Sequence, residues 1–590
     1  MKLLVQKFGG TSVGSVQRIQ EVAQKIASKK EQGADLVIVV SAMGHTTDEL
    51  TNLAKSISRN PPQREMDMLL STGEQVSIAL LSIALNELGV QAISMTGSQV
   101  GILTESSHGK ARILEIKTER LKSVLNEGKI VVVAGFQGTT SSSGGTAEIT
   151  TLGRGGSDTS AVALAIALEA EGCEIYTDVE GVLTTDPRKV KDAQLMQSLS
   201  CNEMLELASL GAEVLHPRAV ELARNYGMKL IVKSSWSNSK GTTLTSNNSR
   251  SNSKAGLELS RPIDGIELLE KQVVIGLSHI PDKPGVAATL FERLSKGGVN
   301  VDLIIQAIHE GKSNDITFTV GEEEIDNAKD LVKDLLGDLG GKIVVQNQMS
   351  KLSISGAGIM GRPGIAATFF ETLCRAGINL RLIATSEVKV SCVIDSNFGT
   401  KGLRAVSQAF EINDDQIKIN PATKGIGEKE VRGIALDANQ AQVTVKMVPD
   451  KPGSAAAICS NLAEAGISLD SIVQSERKHN NGSRDISFTL KKQDRDQAKK
   501  SLQNLLNQWE ESYLVDGPPI AKVSAVGAGM PATPGTAGRM FRSIAESGIN
   551  IGMIATSEIR ISCVVAEEDG LEALNAVHKC FELEKKDKST

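Results

Sequence analysis

Aromatic residues are scarce: Phe, Tyr and Trp make up 3% of the 590 residues, with only two Trp and three Tyr. Proteins that stack nucleic-acid bases lean on such rings, so the scarcity speaks against a nucleic-acid partner. There is no basic excess either. Sixty-four Lys and Arg against 70 Asp and Glu leave a formal charge of −6, which gives no electrostatic footprint for DNA or a membrane surface. The seven cysteines (173, 201, 374, 392, 459, 563 and 580) are odd in number and never form a Cys-x-x-Cys pair. That favours reduced thiols in a cytosol-like compartment over disulfides or structural zinc, and a cytoplasmic location is expected. The seven histidines are isolated, so no metal-ligand cluster is expected. No apolar run is read as long enough to span a bilayer, and the chain opens on a strand pattern rather than a signal or transit peptide. What remains, 40% hydrophobic and 23% charged, is the composition of a soluble protein of roughly three to five domains.

The first 236 residues alternate short apolar strands with helical patterns. Strands are expected at Lys2–Phe8, Leu36–Val40, Gln91–Met95, Ile130–Ala134, Glu174–Thr177 and Lys229–Lys233. Helices are expected at Val16–Ser28, Glu74–Leu88, Arg112–Asn126 and Asp158–Glu169. Such alternation means a mostly parallel sheet covered by helices, with ligands at the carboxyl ends of its strands. Lys7, Ser41, Gly135 and Asp178 fall there. Residues 237–262, rich in Ser, Asn and Thr, read as a linker.

The remainder is internally repeated. Asp282-Lys-Pro-Gly recurs as Asp450-Lys-Pro-Gly 168 residues later, and Asp282–Gln306 shares 11 of 25 positions with Asp450–Gln474. A second unit, Pro363–Val393, shares 15 of 31 positions with Pro534–Val564. The two unit types share a strand, Pro-Gly, helix, strand, turn, strand order. Four βαββαβ modules in two duplicated pairs are therefore expected, at 263–347, 348–425, 426–517 and 518–590.

Two glycine-rich segments carry the chemistry. Lys7-Phe8-Gly9-Gly10-Thr11-Ser12 follows the first strand, and Leu152-Gly-Arg154-Gly155-Gly-Ser157-Asp158 precedes a helix. Glycines let backbone approach phosphate closely, and helix N-termini receive anions. Lys7 adds a positive charge for the transferring phosphate. Gly9, Gly10 and Ser12 offer amide and hydroxyl donors, and Arg154 offers a planar fork for a carboxylate. Glu74 and Asp158 suit an ammonium, although an acid opening a helix is also favoured by the dipole alone. His45 and His216 read as structural, because a carboxylate acceptor needs no general base.

These motifs, with Thr184-Thr-Asp186-Pro-Arg188, resemble the aspartate kinase branch of the amino-acid kinase family, and the βαββαβ modules resemble ACT domains. The resemblance covers essentially the whole chain, with four ACT modules as in cyanobacterial-type enzymes where most relatives carry two. It implies an α/β amino-acid kinase fold followed by four ACT domains. It also implies phosphorylation of the β-carboxylate of L-aspartate by ATP, with Mg²⁺ held mainly by phosphates. Lys7 and Asp158 would be catalytic. Lys7, Gly9, Gly10, Ser12, Thr177, Asp178, Asp186, Arg188, Lys233 and Ser234 would meet the nucleotide. Ser41, Thr47, Glu74, Arg154, Gly155, Ser157 and Asp158 would meet aspartate.

Lysine and threonine are the implied effectors, on Asp282, Lys283, Pro284, Gly285, Asn300, Asp302 and Gln306 and on Asp450, Lys451, Pro452, Gly453, Ser468, Asp470 and Gln474. For Met360–Gly364, Asn379 and Ser386-Glu387, and their counterparts Met530–Gly535, Asn550 and Ser557-Glu558, module pairing and a second ligand site both stay open. A homodimer through ACT domains is expected. A sibling kinase acting on glutamate, carbamate or UMP and a non-catalytic amino-acid sensor remain as alternatives.

Overall fold

The computed structural model of the chain describes residues 2–140, 147–212, 214–246, 257–258, 263–309, 313–357, 359, 362, 364–422, 425–474, 479 and 481–584. Much of the expected linker, and Met360, Gly361 and Pro363, lie outside the described residues. The chain forms two compact units. One comprises residues 1–183, 195–208 and 213–260, the other residues 184–194, 209–212 and 261–590.

The first unit is built on an eight-stranded sheet. Its order is Ser198–Ser200, Thr242–Thr245, Leu230–Ser234, Gly172–Thr177, Lys2–Phe8, Ala34–Val40, Ile130–Ala134 and Ala92–Met95. All neighbours are parallel except the pair Leu230–Ser234 and Thr242–Thr245. The six expected strands are all present. The apolar runs of Ala34–Val40, Ile130–Ala134 and Gly172–Thr177 are buried almost throughout, as a helix-covered parallel sheet requires. A smaller four-stranded sheet joins Ile113–Ile116, Ile102–Thr104, Gln137–Thr140 and Ile149–Thr151.

Four expectations change here. The strand Thr242–Thr245 lies inside the segment read as linker: Leu244 is fully buried beside Leu230, and Gly241 (φ +73°) turns the chain against the Val232 carbonyl. The expected helix Arg112–Asn126 is a strand, Ile113–Ile116, followed by a helix only from Glu119. The helix around Glu74 runs from Gln63 to Glu87, so Glu74 sits three turns in and the N-terminal dipole does not account for it. That helix is also long and apolar enough to cross a membrane by length and composition, with an 18-residue window of mean hydropathy 1.5. It nevertheless buries Asp67, Ser71, Glu74 and Ser77 within the unit, as a core helix does.

The second unit holds the four modules. An eleven-stranded sheet carries the first, second and fourth, and a four-stranded sheet (Ser471–Gln474, Arg484–Lys491, Gln440–Val448, Tyr513–Asp516) carries the third. First and fourth modules join edge to edge, Ile304–His309 antiparallel to Met553–Ser557. Their helices Val286–Lys296 and Thr536–Glu546 share one apolar core, and Arg542 clasps Glu292 through two 2.8 Å bonds. The second and third modules share another core through Ile365–Arg375 and Ser454–Glu464.

The modules are nested, not consecutive. The 17-residue strand Gly265–Pro281 shifts register between Leu269 and Gln272. Its first half pairs with Lys351–Ser355 of the second module, its second half with the strands of the first. Likewise Gly433–Asp437 pairs with Ile520–Val526 and completes the fourth module rather than the third. In each nested pair the outer module takes one strand from before the inner one: the boundary 347/348 cuts the strand Lys342–Ser355, and the span 426–517 includes Gly433–Asp437, which belongs to the fourth module's sheet.

Candidate active site and regulatory cavities

In parallel register, Phe8 lies beside Val40 and Tyr176, and Val40 lies beside Ala134. The bonds Ser41 N–H to Phe8 O (3.2 Å), Gly9 N–H to Tyr176 O (3.3 Å) and Gly135 N–H to Val40 O (3.0 Å) carry the ladder one step past the strands. Four carboxyl-terminal turns therefore open on one edge of the sheet, where ligands of open α/β sheets bind.

Lys7 leaves the first strand there, and its ammonium pairs with Asp158 at 2.6 Å, both side chains about nine-tenths buried. Asp158 sits in the first turn of the helix Gly156–Ala167. Gly155 caps that helix in the left-handed region (φ +67°), and a Cβ there would fall 2.1 Å from the His216 ring. The spacing between Gly135 and Ser157 is equally tight, a Cβ on Gly135 meeting Ser157 at 2.8 Å. Gly10 has no room for a side chain against the Ala42 carbonyl. Glycine is thus dictated sterically at all three positions.

Glu74 is 3% exposed. One of its oxygens accepts the Ala42 N–H at 3.1 Å, and the other is buried without a hydrogen-bond partner. Burial pushes its carboxyl up to about 7, against the pull of the backbone amide bonds. A half-satisfied buried carboxyl of this kind is costly unless a ligand completes it. Arg154, by contrast, is exposed.

Several expected nucleotide contacts are otherwise engaged. The Lys233 ammonium pairs with buried Glu174 at 2.6 Å, and Glu174 also accepts from Gln6 and the Tyr176 hydroxyl. Ser234 is buried, and its hydroxyl accepts the Trp236 N–H. The Gly9 amide is taken by Tyr176, and the Ser12 hydroxyl shares a 2.6 Å bond with Ser235. Thr177 donates to Asp178 at 3.0 Å. Asp186 and Arg188 clasp each other and lie in the second unit. Ser41 is half-buried, and Thr47 stands in the first turn of Thr46–Ile57, its carbonyl accepting from Thr51.

Sequence reasoning missed the groups that hold this edge in shape. Buried Asp67 accepts from the Gly109 amide and the Thr151 hydroxyl and pairs with His108. Arg218 pairs with Glu258 and donates to the carbonyls of Leu152 and Ala111, fixing the loop before Arg154. Glu174, which holds Lys233, was also missed; a charged residue inside an apolar strand, Gly-Cys-Glu174-Ile-Tyr, was the readable signal for it. Among the described residues no group of three or more His, Cys, Asp or Glu is arranged to hold a metal.

In the second unit the expected effector residues divide between separate cavities. Lys283, Gly285 and Gln306 line a narrow pocket with Asn550 and Ile551 of the fourth module. Asn550 donates to Asp282 at 2.7 Å and Gln306 to the Ile551 carbonyl at 2.7 Å. The duplicated counterpart, with Lys451, Gly453 and Gln474, closes on Asn379, which donates to Asp450 at 3.1 Å.

Asn300 and Asp302 line a different cavity of about 340 Å³, facing Gly535 and Thr536. Asp302 pairs with the buried ammonium of Lys351, and Asp470 pairs in the same way with Lys522. Those two aspartates therefore serve as links between modules. Asn379 and Asn550 are pairing residues, whereas Pro534, Gly535, Ser557 and Glu558 line the large cavity. Ser557 brings a buried hydroxyl without a partner.

Comparison with known proteins agrees with this division. The amino acid kinase family model matches residues 2–234. ACT domain models match 274–336, 352–410, 442–507 and 523–581. The aspartokinase of Bacillus sp. (strain MGA3) is 48% identical over 421 residues, 71% of this chain and 99% of that protein. That of Thermus thermophilus is 45% identical over 415 residues, 70% of this chain and 100% of that protein. The crystal structure of the aspartate kinase from Synechocystis is 51% identical and superposes with a TM-score of 0.87, covering 100% of this chain and 99% of that one. With such likeness along its length, and a lysine–aspartate pair at the head of a kinase sheet followed in sequence by four ACT modules, the chain belongs to the aspartokinase family.

Proposed function

We propose that this aspartokinase transfers the γ-phosphoryl group of ATP to the β-carboxylate of L-aspartate. The product is 4-phospho-L-aspartate, which opens the route to lysine, threonine and methionine. The observation that carries the proposal is the unpartnered buried oxygen of Glu74. The ammonium of an α-amino acid fills it with a charge-assisted hydrogen bond and offsets the desolvation that raises the carboxyl. Arg154 takes a substrate carboxylate. Ser41, Thr47, Gly155 and Ser157 border the substrate, with hydroxyl and amide donors.

Phosphoryl transfer is mostly positioning and charge stabilisation. Lys7, preset by Asp158, meets charge developing on the transferring oxygens. Asp158 keeps the lysine oriented. The β-carboxylate attacks phosphorus, the bond to the bridging oxygen breaks, and ADP leaves. No proton must be removed from the nucleophile, so no general base is needed; His216, packed against Gly155, has its imidazole pKa lowered by burial. Thr177, Asp178, Asp186 and Arg188 belong to the nucleotide side by family resemblance. Mg²⁺, held mainly by the phosphates, supplies charge neutralisation there.

Lysine and threonine are the proposed effectors. The two small pockets leave only about 10 and 20 Å³, far less than the larger cavity's 340 Å³. An amino acid would enter them only by parting Asn550 from Asp282 or Asn379 from Asp450. The larger cavity has room without rearrangement. A homodimer through ACT modules would use faces other than the Ile304–His309 edge, which Met553–Ser557 fills.

Calorimetric titration of aspartate into the ADP–Mg²⁺ complex, in buffers of differing ionisation enthalpy, tests the Glu74 assignment. A group with pKa about 7 that becomes fully ionised on binding releases about half a proton at pH 7. Release should vanish in Glu74→Gln, and affinity should fall by about tenfold or more. Equal proton release and undiminished affinity in that variant would refute the assignment.

A further inference from the structure

The helix Gln63–Glu87 buries Asp67, Ser71 and Glu74 along one face, at i, i+4 and i+7. Asp67 is fully buried, and a carboxylate so placed is costly unless its oxygens are filled. Three donors from two other segments fill them. One oxygen accepts the Thr151 hydroxyl at 2.5 Å and the Gly109 N–H at 3.0 Å. The other lies 3.1 Å from the same N–H and 2.7 Å from His108 Nδ1. His108 Nε2 faces Glu148 at 3.4 Å, and Glu148, just ahead of the strand Ile149–Thr151, accepts from Arg64 of the same helix at 3.3 Å. One turn past Asp67, the Ser71 carbonyl accepts from Gln137 at 2.9 Å, and Gln137 pairs with Thr151 in the small sheet.

The chain carries this clamp on to Arg154. The Thr151 carbonyl accepts the Ala111 N–H at 3.0 Å, and Leu152 N–H donates to Phe136 O at 2.8 Å. Gly153 then turns with φ +78° against the loop that Asp67 holds: a Cβ there would fall 3.0 Å from the Gly109 carbonyl. The Gly153 carbonyl accepts the N–H of Gly156, which opens the Asp158 helix. Arg154 therefore leaves a turn whose Gly153 side rests on the Asp67 loop and whose Gly155 side rests on His216. A buried polar network with its groups satisfied holds the segments it joins in one arrangement.

We propose that Asp67 is a positioning residue for aspartate: it clamps the helix that bears Glu74 to the turn that bears Arg154, and so sets the span between the receptor for the substrate's ammonium and the receptor for its carboxylate. This rests on the reading of Glu74 and Arg154 given above. A receptor of fixed span has its ordering cost met before the ligand arrives, whereas a loosened one takes that cost from the binding energy of the substrate. Lys7 and Thr177 belong to neighbouring strands of the large sheet, and the clamp belongs to the small one. Loosening it is therefore felt by aspartate and not by ATP.

Steady-state kinetics on the full chain test this. Asp67→Leu, which cannot accept a hydrogen bond, should raise KM for aspartate about tenfold or more, as for loss of several buried bonds, and leave KM for ATP unchanged. Asp67→Asn should restore most of the loss, because its carbonyl accepts from Thr151 and Gly109 while its amide donates to the other tautomer of His108. Thr151→Val, which keeps the shape and removes one donor, serves if Asp67→Leu does not fold, and should raise KM for aspartate about fivefold with the same split. Equal rises in both KM values, or no rise in a folded variant, would overturn the proposal. Arg154→Ala and Glu74→Gln separate the two readings. If they raise KM for aspartate while Asp67→Leu and Thr151→Val do not, only the positioning role falls. If they too have no effect, the receptor reading falls and the positioning role with it.

Discussion

Glu74 shows how one side chain couples stability to recognition. Its carboxyl holds a proton in the native state up to about pH 7, against an ordinary value of 4.5. Between those values the native state binds more protons than the unfolded chain, so folding stability falls as pH rises from about 4.5 to 7 and is level above. A shift of this size corresponds to a destabilisation on the order of 3 kcal/mol at neutral pH. Glu74→Gln removes the charge and leaves the shape. The variant should therefore gain stability relative to wild type by about 2 kcal/mol between pH 5 and pH 8, measured by urea melts at both values. An unchanged difference at the two pH values would contradict this origin for the raised carboxyl. Lys7 and Asp158 were legible in sequence because each lies at the end of a recognisable element. The engagement of Lys233 with Glu174 was not, since a lysine at a strand end reads alike whether it faces a phosphate or a buried carboxylate.

Among elements, the helix Gly156–Ala167 shows most clearly how backbone conformation positions the site. Gly155 turns into it with positive φ against the face of His216. Any side chain there must move the imidazole or the turn that aims Asp158 at Lys7. Gly155→Ala should leave an enzyme that still folds but loses most of its turnover, by about tenfold or more if the Lys7–Asp158 pairing is displaced. Thermal melting and kcat measured together check this; a variant with unaltered kcat would mean that the turn does not position Asp158. The six parallel strands were readable because buried strands write continuous apolar runs. Thr242–Thr245 hid in a polar stretch because its one apolar residue is Leu244, and its other buried residue, Thr242, is polar. Ile113–Ile116 was masked by the helical pattern that follows it.

At the scale of the whole molecule, the duplication was plain in the repeated Asp-Lys-Pro-Gly and Ile-Ala-Thr-Ser-Glu segments, but its architecture was not. Repeats report which units exist, whereas strand exchange depends on which edge is free, and a sequence pattern cannot say whether a strand completes the sheet before or after it. The large strand Gly265–Pro281 serves two modules, and buried pairs such as Lys351–Asp302 and Lys389 with Glu267 and Glu558 tie modules that the sequence presents separately. Removing one member of such a buried pair leaves an uncompensated charge, so these links resist gradual distortion and favour discrete arrangements. The most direct measurement is made on the intact chain. Purified protein is incubated with ATP, Mg²⁺ and aspartate, and the acyl phosphate is trapped with hydroxylamine. Aspartyl hydroxamate should accumulate in step with ADP, should depend on aspartate, and should disappear in Lys7→Ala. A folded protein that forms no hydroxamate, or forms it equally well without Lys7, would contradict phosphoryl transfer to aspartate at this site.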